Sequence, residues 1–275
     1  MHDFRHPVLL LHTLGASGET WAEVIGADQG RFSAPDLPGH GTRRDEVFDT
    51  SEAVATCLET GPRFHVAGSG LGAYVALELL RAAPEQVASL VLAGFPAAGG
   101  PDRVTTTAKL LDEQGVEGFA TSYMEATLYM GAGRRRETAL EGEAALRLGA
   151  AQPDAALLLG AAQPDAALHE DGPAPTSSRE VFARAFRAMR PEGLLSALAA
   201  ALSWRLPEAR IPTAVLRGEH DVRVDEEAAR SLAAALGADY VTLPLAGHVA
   251  YVDDPRGFRE VLDAFHRATE AQEEH

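Results

Sequence analysis

The stretch HVAGSGLGAYVALEL, residues 65–79, decides how this chain folds. A short apolar segment, residues 65–67, enters a glycine-rich turn and leaves as a helical pattern. The turn at 68–73 satisfies the dinucleotide fingerprint G-x-G-x-x-G/A, in which backbone amides at a helix start hold a pyrophosphate. It also nearly satisfies G-x-S-x-G, the turn that presents a nucleophilic serine, but Gly70 stands at the serine position. The stretch alone therefore leaves two kinds of site open.

The composition restricts the class of partner. The chain has 275 residues, 46% of them apolar, and a formal net charge of −16. Its only basic block is the arginine run at 134–136, so binding to nucleic acid or to an anionic membrane is disfavoured. Cys57 is the single cysteine, which excludes disulfides within one chain. The apolar run at 8–11 is too short for a signal peptide or a membrane span, and we expect a cytoplasmic protein.

Strand and helix patterns alternate over most of the chain. Compact apolar runs predict strands at 8–11, 64–67, 88–93, 213–216 and 240–243. Helical patterns lie between them, at 51–59, 73–82, 226–236 and 256–270. Such alternation predicts an α/β fold with a mostly parallel sheet flanked by helices.

The alternation is interrupted in the middle of the chain. Residues 100–206 are rich in alanine and leucine, helical in period and without strand signals, so we expect an inserted helical cap, or lid, over a core formed by 1–99 and 207–275. The cap contains an 11-residue tandem repeat at 148–169, LGAAQPDAALL followed by LGAAQPDAALH. Two copies are too few for a solenoid, and we interpret them as short helices broken at each Gln-Pro-Asp.

A dinucleotide site needs a further acidic residue. It normally lies about 20 residues beyond the glycines, after the next strand, where it holds the ribose hydroxyl. Here the predicted strand at 88–93 ends in Gly94-Phe95-Pro96, without a carboxylate. The fingerprint also follows the first strand in such proteins, whereas here a strand and a long loop precede it. We therefore predict no nucleotide cofactor.

Four other segments resemble motifs of the α/β-hydrolase superfamily. They are LLHTLGASGETW at 10–21, APDLPGHG at 34–41, LRGEHD at 216–221 and LAGHVAYVDDP at 245–255. The quoted stretch also lies without gaps on that family's pattern HLVGHSMGGAVALEL, which places Gly70 at the nucleophile. In that family the turn that carries the nucleophile, called the nucleophile elbow, comes first, followed by the catalytic acid and then the histidine, and the segments here have the same order. The resemblance covers 7–97 and 211–265 and implies a capped α/β-hydrolase fold without the nucleophilic serine.

The resemblance also implies the site residues. His248 would be the general base, and Asp221 would hold its tautomer and stabilise the imidazolium. The backbone amides of Thr13 and Leu71 would form the oxyanion hole. Gly70 has no side chain, so no acyl-enzyme can form there.

A helical cap over the carboxyl ends of the strands usually forms an apolar pocket. The His12-Thr13 pair resembles the first loop of plant hydroxynitrile lyases, whose threonine contacts the substrate. Candidates for the substrate pocket are Ser69, His12, Phe95, Tyr123 and Trp204. Further apolar residues of the cap are expected to pack in its own core.

Three functional classes follow from this set. In the first, which we expect, the dyad and oxyanion hole perform general acid–base chemistry on a small hydrophobic carbonyl compound, as a lyase, cyclase, isomerase or cofactor-free oxygenase. In the second, His248 activates a water for direct hydrolysis of an ester or a C–C bond. In the third, the protein is a silent binder or an inactive serine-to-glycine variant. No metal or cofactor is predicted, because the histidines do not cluster at ligand spacing. The oligomeric state is left open.

Overall fold

A computed structural model describes residues 4–95, 102–129, 177–208 and 210–273. Six parallel strands form one sheet in the order β2-β1-β3-β4-β5-β6. The strands are β1 (Val8–Leu11), β2 (Phe32–Ser33), β3 (Phe64–Ser69), β4 (Val87–Ala93), β5 (Thr213–Gly218) and β6 (Asp239–Leu243). The predicted α/β fold with a parallel sheet is confirmed.

Nine α-helices accompany the sheet within the described residues. They are α1 (Ala22–Ile25), α2 (Thr50–Leu58), α3 (Leu71–Ala82), α4 (Asp102–Thr127), α5 (Ser178–Arg187), α6 (Pro191–Ala201), α7 (Glu226–Leu236), α8 (Ala250–Asp253) and α9 (Pro255–Gln272). Helix α3 packs against β1, β3 and β4, whereas α9 packs against β4 and α1. Every residue of β1, β3 and β4 is buried, as expected for central strands covered on both faces.

The differences from the predicted elements have local causes. Strand β2 was not predicted, because it has only two half-buried residues, which pair with Val8 and Leu9. Helix α3 begins at Leu71, two residues earlier than its apolar pattern suggested. The early start follows from Gly70, which acts as the N-cap and turns the chain abruptly out of β3.

Helices α4, α5 and α6 come from the segment predicted as a cap. Helix α4 contacts both α5 and α6, and α6 also contacts α3. Gly115 breaks the helical geometry inside α4, with φ at 67° and ψ at 174°. The tandem repeat at 148–169 lies outside the described residues. In the part of the chain that the structure describes, no helix is long and apolar enough to cross a membrane.

Two glycines set the distance between the central elements. A Cβ on Gly72 would overlap the backbone carbonyl of Leu11 in β1, and one on Gly68 would overlap the carbonyl of Gly72. Helix α3 can therefore lie directly against β1 and β3 only with hydrogen at these two positions. This close approach brings the ends of β1 and β3 together at the carboxyl edge of the sheet.

We expect Gly72→Ala to destabilise the fold by about 2–3 kcal/mol or more, because the added methyl meets rigid backbone. Gly30→Ala is the matched control: nothing lies within 4 Å of its Cβ position, so its effect should stay within about 0.5 kcal/mol. Urea denaturation of both variants measures the difference. Equal midpoints would contradict this account of the α3 packing.

Among the described residues, four histidines besides His248 are buried, as two stacked or tilted pairs. His12 faces His40 with ring centroids 5.0 Å apart, and His65 stacks on His266 at 4.2 Å. Burial is the main reason that the pKa of His40 falls to about 3, and the charge of nearby His12 lowers it further. The Pro38 carbonyl and Asp36 act in the opposite direction. Burial also lowers the pKa of the other three. His40 therefore stays neutral in the folded protein at mildly acidic pH, and the other three bind protons less readily than they do in the unfolded chain.

The free energy of unfolding should fall as the pH decreases below about 6.5. In the unfolded chain these histidines bind protons near that pH, whereas in the folded chain they do so only at lower pH. The pH window for His40 extends from about 6.5 to about 3, at about 1.4 kcal/mol per pH unit. Urea denaturation at pH 7.5, 6.5 and 5.5 measures the slope, which His40→Gln should reduce. A flat profile would contradict the assignment.

Candidate active site

The turn after β3 has the geometry of a nucleophile elbow. Gly70 has φ at 53° and ψ at −109°, its amide donates to the carbonyl of Ala93 at 2.9 Å, and its carbonyl accepts from the amide of Ala73. A positive φ costs an L-residue free energy, whereas glycine adopts it readily. The backbone therefore presents position 70 at the start of α3 as an elbow does, without a side chain.

His248 and Asp221 form a buried pair. The Nδ1 of His248 lies 2.9 Å from Oδ2 and 3.1 Å from Oδ1 of Asp221, and both residues are 5% exposed. Burial works to raise the pKa of Asp221, but attraction to His248 and hydrogen bonds from it and from two backbone amides outweigh burial and lower that pKa. The carboxylate thus stays charged, holds the proton on Nδ1, and leaves Nε2 as the basic nitrogen.

Backbone contacts fix the loop that carries His248. Its amide donates to the carbonyl of Thr127 at 2.8 Å, and the amide of Gly247 donates to the Asp253 carboxylate at 2.8 Å. Asp253 also accepts from Arg179 of α5 at 2.6 Å. A Cβ on Gly94 would overlap the carbonyl of His248, so the end of β4 lies directly beneath this loop. The loop that carries His248 is therefore held by contacts with the end of β4, with α4 and with α5.

Arg217 holds the loop that carries Asp221, a role that the sequence did not reveal. Its guanidinium donates to the carbonyls of Val224 at 2.8 Å, Asp221 at 2.9 Å and Glu219 at 3.2 Å. Asp221 itself accepts from the amides of Arg223 and Val224 at 2.8 and 3.0 Å. The only sequence signal was an arginine at the end of a predicted strand, which is uninformative without the loop conformation.

His12 serves the first loop rather than the pocket. Its Nε2 accepts from the amide of Leu37 at 3.0 Å, so the proton is on Nδ1, which donates to the carbonyl of Thr13 at 2.9 Å. Asp36 joins the same two loops by accepting from the amide of Gly18 at 2.8 Å. Since both nitrogens of His12 are used, the ring positions Thr13 and contacts no ligand.

Thr13 lies against the empty nucleophile position. Its hydroxyl oxygen would overlap a Cβ on Gly70, so a side chain at position 70 requires one of the two groups to move. Burial raises the pKa of the Tyr251 hydroxyl, and a hydrogen bond from the backbone amide of Thr13 opposes this increase. Thr13 is therefore a poorer oxyanion donor than its position in the motif predicts. Leu14, the next residue, lines the pocket, and its amide has no hydrogen-bond partner in the described residues.

One pocket joins these elements at the carboxyl edge of the sheet. It encloses about 540 Å³ when the space open to solvent is included. Its lining is mostly apolar, as is usual for a small-molecule site. The lining residues are Thr13, Leu14, Gly70, Leu71, Phe95, Arg103, Tyr123, Ala197, Leu198, Ala201, Leu202, Trp204 and His248.

The structure places three of the five predicted pocket residues in this lining: Phe95, Tyr123 and Trp204. His12 and Ser69 lie outside it. His12 is fully buried in the loop contacts described above. Ser69 is the last residue of β3, 1% exposed, and its hydroxyl has no hydrogen-bond partner among the described residues. Arg103 and Leu14 belong to the lining although the sequence did not suggest them.

No group of three or more histidine, cysteine or acidic side chains is placed to hold a metal ion within residues 4–95, 102–129, 177–208 and 210–273. The lining residues with polar side-chain atoms are Thr13, His248, Tyr123, Arg103 and Trp204. This set suits proton transfer and hydrogen bonding to a carbonyl compound.

A glycine-flanked elbow beside a buried carboxylate–histidine pair defines the class of hydrolase-fold enzymes. The chain belongs to the alpha/beta hydrolase family, whose model matches residues 8–261. This places it among the enzymes of that superfamily.

The relatives agree with this assignment. A segment of 89 residues is 43% identical to the pimeloyl-[acyl-carrier protein] methyl ester esterase of Methylococcus capsulatus, over 31% of this chain and 35% of that protein. The chain thus spans about a third of the curated relatives it matches most strongly. The enol-lactonase of Burkholderia xenovorans LB400 superposes with a TM-score of 0.69 at 19% identity, over 95% of this chain and 91% of that one. A thermophilic esterase of Thermogutta terrifontis gives 0.68 at 17%, over 97% and 91%. At these identities, the structures show the fold alone.

We expect Gly70→Ser alone to gain little nucleophilic reactivity, because its side chain meets the Thr13 hydroxyl. The double variant Gly70→Ser/Thr13→Gly removes this contact and should react with a fluorophosphonate at least about tenfold faster than Gly70→Ser. Intact-mass spectrometry with peptide mapping measures the adduct on the introduced serine of each variant. Thr13→Gly alone is the control and should not label. Equal labelling of the single and double variants would contradict the steric role of Thr13.

Proposed function

We propose that the protein is an ester hydrolase that uses a water activated by His248, without an acyl-enzyme. The observation that carries the proposal is that the buried Asp221–His248 pair faces the same pocket as an elbow without a side chain. The esterase names of the relatives support hydrolysis over the other reactions of this fold.

The reaction follows from the positions of the groups. The Nε2 of His248 takes a proton from water, whose oxygen attacks the ester carbonyl carbon and forms a tetrahedral oxyanion. Leu71, at the start of α3, and Leu14 both line the pocket, and their backbone amides are the donors expected to stabilise this oxygen. As the intermediate collapses, the C–O bond to the alcohol breaks and the imidazolium returns its proton to the leaving oxygen. Ester and water give acid and alcohol, and Asp221 remains charged throughout.

A second candidate is non-hydrolytic chemistry by the same dyad, of the lyase, cyclase, isomerase or cofactor-free oxygenase type. The position of Thr13 favours it, because a hydroxyl that fills the space beside Gly70 reduces the room for an attacking water. Here His248 would remove a proton from the substrate and the same amides would stabilise the resulting enolate or oxyanion.

We expect His248→Ala to lower kcat for 4-nitrophenyl butyrate by about 10²–10⁴-fold, since a general base contributes that much. Asp221→Asn should also lower kcat, because an amide neither stabilises the imidazolium nor holds the tautomer. Hydrolysis rates and the mass of the products in ¹⁸O-labelled water measure both effects. His6→Ala, before β1 at the opposite edge of the sheet, is the control and should retain activity.

The mechanism makes a second demand on the same assay. Wild-type turnover should survive treatment with a fluorophosphonate, and no acyl adduct should appear on rapid quenching. An acyl group trapped on Thr13 or Ser69 would contradict direct attack by water. If the wild type converts no ester but transforms a carbonyl compound without incorporating ¹⁸O, the hydrolase proposal is wrong and the second candidate replaces it.

A further inference from the structure

The pocket contains a cation that the proposed reaction does not use. Arg103, in the first turn of α4, lies in the same lining as Gly70 and His248 and is only partly exposed. Burial lowers the pKa of its guanidinium, and the positive charge of Arg223 lowers it further. A guanidinium remains protonated despite such shifts, so the pocket wall carries a fixed positive charge.

A second arginine reinforces this charge. Arg223 follows Asp221 in the loop that Arg217 holds, and its Cζ lies 4.8 Å from the centre of the Tyr123 ring. Tyr123 and Arg103 both belong to the pocket lining, and the charge of Arg103 interacts with that of Arg223. The cation–π contact stabilises Arg223 without neutralising it.

Neither charge is paired with a carboxylate of the described residues. In the described part of the chain, neither guanidinium has a salt bridge, although 40 residues of this chain are acidic. The pocket lining likewise contains no carboxylate among these residues, and Asp221 is engaged behind His248. Two neighbouring cations repel each other, and burying an unpaired charge costs free energy. In a protein of net charge −16, this pairing is most simply explained by an anion that binds between them.

We infer that Arg103 and Arg223 form an anion subsite, and that the ligand is an apolar acyl or aryl compound with a carboxylate in addition to its reacting carbonyl. The description of that carbonyl as an ester rests on the proposed function, whereas the anion subsite does not. The carboxylate would lie near Tyr123, and the apolar body would lie along Leu198, Ala201 and Trp204. Guanidinium groups suit this role because they can pair with a carboxylate through two hydrogen bonds.

Binding can be measured without catalysis, with 3-phenylpropanoate and its neutral analogue 3-phenylpropanamide as probes. Emission from Trp204 reports occupancy, because this indole lines the pocket whereas Trp21 is fully buried against Tyr251. The wild type should bind the carboxylate at least about tenfold more tightly than the amide, as expected for a charged hydrogen bond. Arg103→Gln and Arg223→Gln should each remove most of this preference, and Arg103→Lys should retain part of it.

Arg256→Gln provides the matched control, because Arg256 is exposed on α9 and pairs with Glu260. It should leave both affinities unchanged. Equal affinity of the wild type for the two probes, no binding of either, or unchanged preference in both glutamine variants would overturn the subsite. Preference for the carboxylate in a protein that hydrolyses no ester would instead preserve the subsite and refute the proposed function. Hydrolysis of 4-nitrophenyl butyrate by a protein that binds the carboxylate and the amide equally well would support the proposed function and refute the anion subsite.

Discussion

The close contact of α3 with β1 and β3 determines where every functional group of this protein lies. Gly68 and Gly72 allow backbone to meet backbone, so the chain turns from β3 into α3 within one residue. That residue is Gly70, which therefore stands at the carboxyl edge of the sheet beside Thr13, at the end of β1. Gly94, directly after β4, and the loops after β5 and β6 lie at the same edge because all six strands are parallel.

The site combines a complete base with a missing nucleophile. Asp221 and His248 are buried, paired and held by contacts from several elements, which is a costly arrangement for a protein that performs no proton transfer. The family and the names of its relatives support hydrolysis. The Thr13 hydroxyl lies beside Gly70, so part of the space that a side chain at this position would need is already occupied.

The sequence predicted the features that depend on short, ordered motifs. The parallel sheet followed from apolar runs along the chain, whereas the elbow, Asp221 and His248 followed from the resemblance of short motifs to those of the α/β-hydrolase superfamily. Arg103 was missed because the sequence of a helix does not show whether a charged residue near its start will line a pocket. Arg217 was missed because its role depends on three carbonyls from a loop whose shape is not encoded in any motif. His12 was expected in the pocket. Its actual position depends on a hydrogen bond from the amide of Leu37, 25 residues away in the chain, which the motif does not reveal.

Arg217 has a further consequence for how this protein can diverge. One guanidinium organises the loop 219–224, which carries both Asp221, the partner of the base, and Arg223, beside the pocket. A change in the backbone conformation of that loop would therefore move Asp221, which pairs with His248, together with Arg223. New specificities are therefore expected to evolve through α6 and the first turn of α4, away from the Thr127 carbonyl that holds the His248 loop.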